Sequence, residues 1–234
     1  MSDTQSDEEY ILKVSGLSVK LQNQTILDRV SFNLRKGTTL AILGPNGAGK
    51  TTLFKALLNL VPYTGKIEWT EKVRVGYVPQ NIEVDDIPIS VKEFLSFKNG
   101  TSVGSLLAPV RLDNQNMPSK TLGVLSGGEL RRVLIAWAFA DRPNVLLFDE
   151  ATTGVDMSSE EPIYRTLNDL KKKSKITILL ITHDVHIVRE YSDYLLALNR
   201  CAMFFGESKE IMNPTVQKII YGETVCAGAP EPTR

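Results

Sequence analysis

Eight consecutive residues, Gly44-Pro45-Asn46-Gly47-Ala48-Gly49-Lys50-Thr51, match the pattern G-x-x-x-x-G-K-[ST] in full. An apolar run, Thr38 to Leu43, precedes them. A helical stretch, Lys50 to Leu60, follows and stops at Pro62. Glycines let the backbone turn tightly, so that consecutive N–H groups point at one phosphate group, and the helix start adds its positive dipole end. Lys50 is expected to reach the terminal phosphates and the Thr51 hydroxyl to ligate Mg²⁺, with Thr52 next in the same turn. The pattern specifies a nucleoside triphosphate site and not a reaction.

A carboxylate pair supplies a reaction. Val145 to Phe148 is a short apolar strand that ends in Asp149-Glu150, and ligand chemistry in such sheets gathers at the carboxyl ends of strands. Asp149 is placed to hold Mg²⁺, directly or through water. Glu150 is suited to polarise an attacking water, which together with a metal is most of what phosphoryl transfer asks of a protein. A second anion site stands at Leu125-Ser126-Gly127-Gly128-Glu129, ahead of a helix on which Leu130, Val133, Leu134, Trp137 and Ala138 share one face. One chain thus carries two phosphate-binding loops and one set of Mg²⁺ residues. A dimer uses both: each copy would offer Ser126, Gly127 and Gly128 to the nucleotide on the other's Lys50.

The surrounding elements fit an α/β protein. Ile11 to Val14 and Gln24 to Leu34 read as strands, and Val73, Val75 and Tyr77 alternate as a strand does. Residues 89–141 favour helix. Ser158 to Lys173 reads as a helix with Pro162 in its first turn and Lys171 to Lys173 in its last, and Ile176 to Ile181 as a buried strand. Strands alternating with helices imply a mainly parallel sheet, and the central helical block implies an inserted subdomain. Residues 1–9 are expected to be a disordered acidic tail, 10–222 one domain (10–80 and 144–222 core, about 81–143 helical), and 223–234 a flexible tail.

Composition excludes much else. The chain of 234 residues has 27 Lys plus Arg against 27 Asp plus Glu, so a wholly basic polyanion-binding surface is not expected and no nucleic-acid partner is assigned. The nine N-terminal residues carry four acids and no base, which leaves a modest positive excess in the rest. No apolar run approaches the roughly 18 residues of a membrane span, and MSDTQSDEEY does not read as a signal peptide. Two cysteines, Cys201 and Cys226, and two histidines, His183 and His186, do not make a disulfide framework or a zinc site.

Taken together the motifs resemble those of ATP-binding-cassette transporter ATPases. GPNGAGKT is similar to that family's first phosphate motif, VLLFDE to its second and LSGGE to its signature loop, usually LSGGQ. Gln80 in Tyr77-Val78-Pro79-Gln80 resembles the switch-loop glutamine, Gly154-Val155-Asp156 the dimer-contact loop, and His183 in Thr182-His183-Asp184 the switch histidine. The resemblance implies a P-loop core with an N-terminal antiparallel β part and an inserted helical subdomain, hydrolysing ATP with Mg²⁺. Glu150 would be the general base, His183 would contact the γ-phosphate, and Gln80 would sense Mg²⁺ and link the site to a membrane partner. It further implies a homodimer, an integral membrane permease and a place on the cytoplasmic membrane face. Within the family, His183 to Val188, Leu198 to Arg200 with Gly206, and Ile219 to Gly222 resemble zinc and manganese uptake ATPases, which adds an extracytoplasmic metal-binding protein. A soluble cassette ATPase, or one serving another substrate, stands as the alternative.

Three residues depart from the family pattern. Glu129 replaces glutamine, an acid near the phosphate site that would slow hydrolysis. Ala151 replaces proline, with a modest effect expected. Leu21 stands where an aromatic residue stacks on adenine, so weaker discrimination among triphosphates is expected. The segment Asn81 to Phe97, with Ile87, Pro88, Ile89, Val91, Phe94 and Phe97, reads equally as a permease contact and as subdomain core.

Overall fold

The computed structural model describes residues 9–80, 82, 84, 88–98, 101–149 and 157–221. Its elements run β1 (Tyr10–Leu21), β2 (Gln24–Arg35), β3 (Thr39–Leu43), α1 (Lys50–Leu57), β4 (Thr64–Trp69), β5 (Val75–Val78), α2 (Val91–Ser96), α3 (Val103–Leu107), α4 (Gly127–Phe139), β6 (Val145–Asp149), α5 (Met157–Ser174), β7 (Thr177–Ile181), α6 (Val185–Tyr191), β8 (Tyr194–Asn199), β9 (Cys201–Glu207) and α7 (Pro214–Tyr221). They form two compact units, one from residues up to Lys72 and from Thr177 onward, the other from Val73–Ile176.

The first unit holds an antiparallel sheet, β2-β1-β4, and a set of strands in the order β7-β3-β8-β9. In the latter, β3 lies parallel to both β7 and β8, and β9 returns antiparallel to β8. Every residue of β3 and β7 is buried, as expected for parallel strands covered on both faces. β1 and β2 join through Gln22 and Asn23, both at positive φ, the two-residue turn whose twist matches its strands. Ala41, Leu43, Val188, Leu195 and Ile211 form a core cluster, against which Val185, Phe204 and Ile220 pack.

The second unit pairs β5 with β6 in parallel and carries α2 to α5. Phe148 of β6 meets Tyr164 of α5 edge-on at 6.4 Å. Phe94 of α2 stacks on Trp137 of α4 at 4.3 Å, with the Lys98 ammonium over the same indole. Val91 and Leu95 are buried beside them, so this part of the 81–97 segment builds core, whereas Ile82, Pro88 and Phe97 are exposed. α5 starts at Met157, which puts Pro162 inside the helix and not in its first turn; the Pro162 carbonyl accepts from the Thr166 hydroxyl at 2.8 Å. Among the described residues no helix is long and apolar enough to cross a membrane.

Candidate nucleotide site

β3 delivers the chain to the phosphate loop and α1 takes it away. Gly44 presses on β8: a Cβ there would lie 2.0 Å from the Leu198 carbonyl oxygen, so only glycine fits. Gly49 caps α1 at φ 96, and a Cβ there would meet Leu27 Cδ2 at 2.6 Å. Between them Pro45, Asn46 and Gly47 are exposed and Ala48 is buried. The Ala48 N–H donates to the Pro45 carbonyl at 3.2 Å, and the Ala48 carbonyl accepts from the Arg200 N–H at 2.9 Å. The Arg200 carbonyl in turn accepts from the Asp28 N–H at 2.7 Å, tying the loop to β2.

Lys50 lies inside this loop at 8% exposure. Its Nζ donates to the Gly44 carbonyl at 2.6 Å and the Pro45 carbonyl at 2.9 Å. A buried ammonium is tolerable only with such partners, and both are groups that an incoming phosphate can replace. Thr51 and Thr52 are half-buried in the first turn of α1. Leu21, also half-buried, ends β1 two residues beyond Val19, whose partner across the hairpin is the Leu27 that borders Gly49.

His183 follows β7, which lies beside β3. The Thr182 hydroxyl accepts from the Asp184 N–H at 3.1 Å, and Asp184 Oδ1 accepts from the His186 N–H at 2.7 Å to cap α6. These bonds fix the backbone on each side of His183. His183, Gly44, Pro45, Leu43, Asn199, Ile220 and Tyr221 line a cavity of about 360 Å³. Burial, and then the Lys50 charge, hold the His183 imidazole below its ordinary value of 6.5. Replacing Lys50 with Met should therefore raise the His183 titration midpoint while leaving the burial contribution in place. Proton NMR of the two imidazoles reads this directly, and an unmoved His183 midpoint would refute the coupling.

The second unit holds the other predicted groups. Asp149 ends β6 at 1% exposure. The Tyr77 phenol hydrogen-bonds its carboxylate, and burial and that negative charge push the phenol above its usual value. Gln80 follows β5 and is exposed. Arg131 of α4, which the motifs did not single out, ties these two strand ends together. Its Nη1 donates to the Pro79 carbonyl at 3.3 Å and the Asp149 carbonyl at 3.2 Å, beneath a guanidinium that sits over the Phe148 ring. Glu150 and Asp156 lie outside the described residues, as does Ala151.

Ser126 caps α4, followed by Gly127 and Gly128. Its hydroxyl accepts from the Glu129 N–H at 3.2 Å, and its own N–H donates to Glu129 Oε2 at 2.9 Å. Glu129 Oε1 accepts from Lys120 Nζ at 2.8 Å. The Lys120 bond first, then that from the Ser126 backbone, hold the Glu129 carboxyl below the usual carboxylate range. The acid that departs from the family pattern is thus paired. The sequence signal for Lys120 is no more than a cation nine residues upstream of an unexpected acid.

Among the described residues no group of three or more His, Cys, Asp or Glu could hold a metal ion. In the first unit Thr51 offers a hydroxyl, and in the second Gln80 offers a carboxamide and Asp149 a carboxylate; each is a hard oxygen donor of the kind that suits Mg²⁺.

Comparison with known proteins gives the family. The family model described as ABC transporter matches residues 27–153. The zinc import ATP-binding protein ZnuC 2 of Aliivibrio fischeri is 35% identical over 215 residues, 91% of this chain and 88% of that protein. ZnuC of Haemophilus influenzae is 32% identical, over 92% of this chain and 82% of its own. Among solved structures, cbiO1 of Clostridium perfringens, part of the ABC transporter complex cbiONQ, aligns with a TM-score of 0.76 at 28% identity, covering 91% of this chain and 95% of its own. With its phosphate loop built around Lys50 and its likeness to these proteins along nearly its whole length, the chain belongs to the ABC transporter family as an ATP-binding, ATP-hydrolysing subunit.

Proposed function

We propose that this subunit powers zinc uptake through a separate membrane permease, as a homodimer that closes head to tail on two ATP molecules and reopens on hydrolysis. The observation that carries the reading is the 35% identity to a zinc import ATPase along 88% of that protein's length. Manganese is the second metal of the same branch. The metal is cargo for the permease.

The residues take these roles. The N–H groups of the loop Gly44 to Gly49, Pro45 having none, surround a phosphate group, while Lys50 gives up the Gly44 and Pro45 carbonyls for phosphate oxygens. Leu21 covers one face of the adenine without stacking. Magnesium would be held by the Thr51 hydroxyl, the Gln80 amide oxygen and the Asp149 carboxylate, and would neutralise charge on the transferring phosphoryl group. Glu150 takes the proton of the attacking water. His183, whose imidazole is held below its ordinary value by burial and the Lys50 charge, donates an N–H to the γ-phosphate. Ser126, Gly127, Gly128 and Glu129 complete the partner copy's site, with Asp156 at the dimer contact.

Residues 10–80 and 144–222 act as the core and about 81–143 as the helical subdomain. Exposed Ile82, Pro88 and Phe97 contact the permease at the cytoplasmic membrane face, with an extracytoplasmic metal-binding protein on the far side.

Reconstitution tests the reading. With its permease in proteoliposomes, the chain should drive ATP-dependent accumulation of zinc, with manganese as the comparison metal. ATP hydrolysis without movement of either metal would overturn it.

A further inference from the structure

The Ser126–Glu129 capping box needs only one oxygen of the Glu129 side chain, the Oε2 that accepts from the Ser126 N–H. A glutamine carbonyl oxygen would do the same work. The carboxylate adds a full negative charge at a helix start that, in the proposed dimer, faces the partner copy's triphosphate. It also adds a second oxygen, and that oxygen is taken by Lys120 at 2.8 Å.

This is not a loose surface pair. The side chains are 37% and 22% exposed. The backbone of Lys120 is held from both sides, its N–H donating to the Met117 carbonyl at 3.2 Å and its carbonyl accepting from the Val91 N–H at 2.9 Å. Thr121 adds an isolated bridge to Ser90. The lysine's backbone is thereby anchored on the start of α2, within reach of Glu129. Arg132 also touches the loop: its Nε donates to the Gly128 carbonyl at 3.3 Å and its Nη1 to the Arg111 carbonyl at 3.2 Å. Those bonds are to carbonyls and do not engage Glu129.

We propose that Lys120 is a positioning residue of the ATPase: it neutralises and orients Glu129, so that Ser126, Gly127 and Gly128 present a net positive helix end to the triphosphate bound by the partner copy. The inference rests on the head-to-tail dimer proposed above. With Lys120 removed, the uncompensated carboxylate repels the phosphates, and closure of the dimer around ATP weakens. With both charges removed, the capping box and the helix end remain.

The test is the rate of ATP hydrolysis by the full chain as a function of ATP concentration. Lys120→Met should lower kcat about three- to tenfold and raise the ATP concentration for half-maximal rate. The same Lys120→Met change in an E129Q background should change either quantity less than about twofold, and Lys120→Arg should retain the parent behaviour. A purely structural lysine would give the same loss in both backgrounds, and that result overturns the proposal, as does parental kinetics in Lys120→Met. ATP-dependent dimerisation of the Glu150→Gln protein, followed by size-exclusion chromatography, separates the two levels. If no dimer forms, the head-to-tail reading falls and this proposal with it. If the dimer forms and E129Q brings no relief, the assignment of Lys120 alone is wrong.

Discussion

Lys50→Ala should reduce ATP hydrolysis on the order of a hundredfold or more and bring nucleotide binding down with it. The expectation follows from where the ammonium lies. At 8% exposure it has exchanged water for two main-chain carbonyls, those of Gly44 and Pro45, which are the edges of the loop that must receive phosphate. Those carbonyls repel a triphosphate unless a cation stands between them and it. Alanine supplies none, and water in its place carries no charge. The fold itself should survive, because the loop is tied to β2 and β8 through backbone atoms and the variant removes a buried charge along with the methylene stem. A fluorescent ATP analogue titrated against both proteins, with a thermal melt as control, checks this. Parental affinity in the variant would remove Lys50 from the site.

Glu150→Gln should separate binding from chemistry. Loss of a general base costs about 10²- to 10⁴-fold in rate, and the amide is close enough in shape to leave ATP affinity and dimer closure intact. The backbone just before Glu150 is well fixed. β6 is buried throughout, the Asp149 carbonyl is held by Arg131, and the Asp149 carboxylate is paired with Tyr77. The change therefore acts on a carboxylate and not on its support. Single-turnover hydrolysis measured beside ATP-dependent dimerisation makes the distinction, and full turnover in the variant would reassign the base.

Both predictions concern motifs that could be read without coordinates. The reason is local: an apolar strand, a glycine loop and a helix are contiguous in sequence, so their geometry follows from short-range chemistry. β1 was harder. Its expected span, Ile11 to Val14, is a third of the strand, because register shifts between Val14 and Leu17 and beyond break the alternation that marks a strand. β4 was missed because its residues are mostly exposed and carry no buried face to alternate. α5 was legible to within one residue at each end, Ser158 to Lys173 against Met157–Ser174, but Pro162 lies inside the helix and not in its first turn. Lys120 and Arg131 were invisible for another reason. Lys120 acts across nine residues and Arg131 across 52 and 18, at distances where only folding decides which groups meet. Departures from the family pattern were legible as departures, but their compensation was not: Glu129 announced a charge, and only the fold showed what met it.

The hairpin behind the phosphate loop has a consequence for how this protein can vary. Gly44 rests on the Leu198 carbonyl, and Ala48 is bonded to the N–H of Arg200, the single residue between β8 and β9. Every one of these attachments is made by main-chain atoms. The hairpin therefore works as a gauge, setting the loop's position by how many residues it contains and not by which they are. The Arg200 side chain takes no part in these attachments and can drift with little effect on them. An insertion or deletion of one residue between Leu198 and Cys201 would move both attachment points at once. Along this edge relatives can differ in letters while sharing a length.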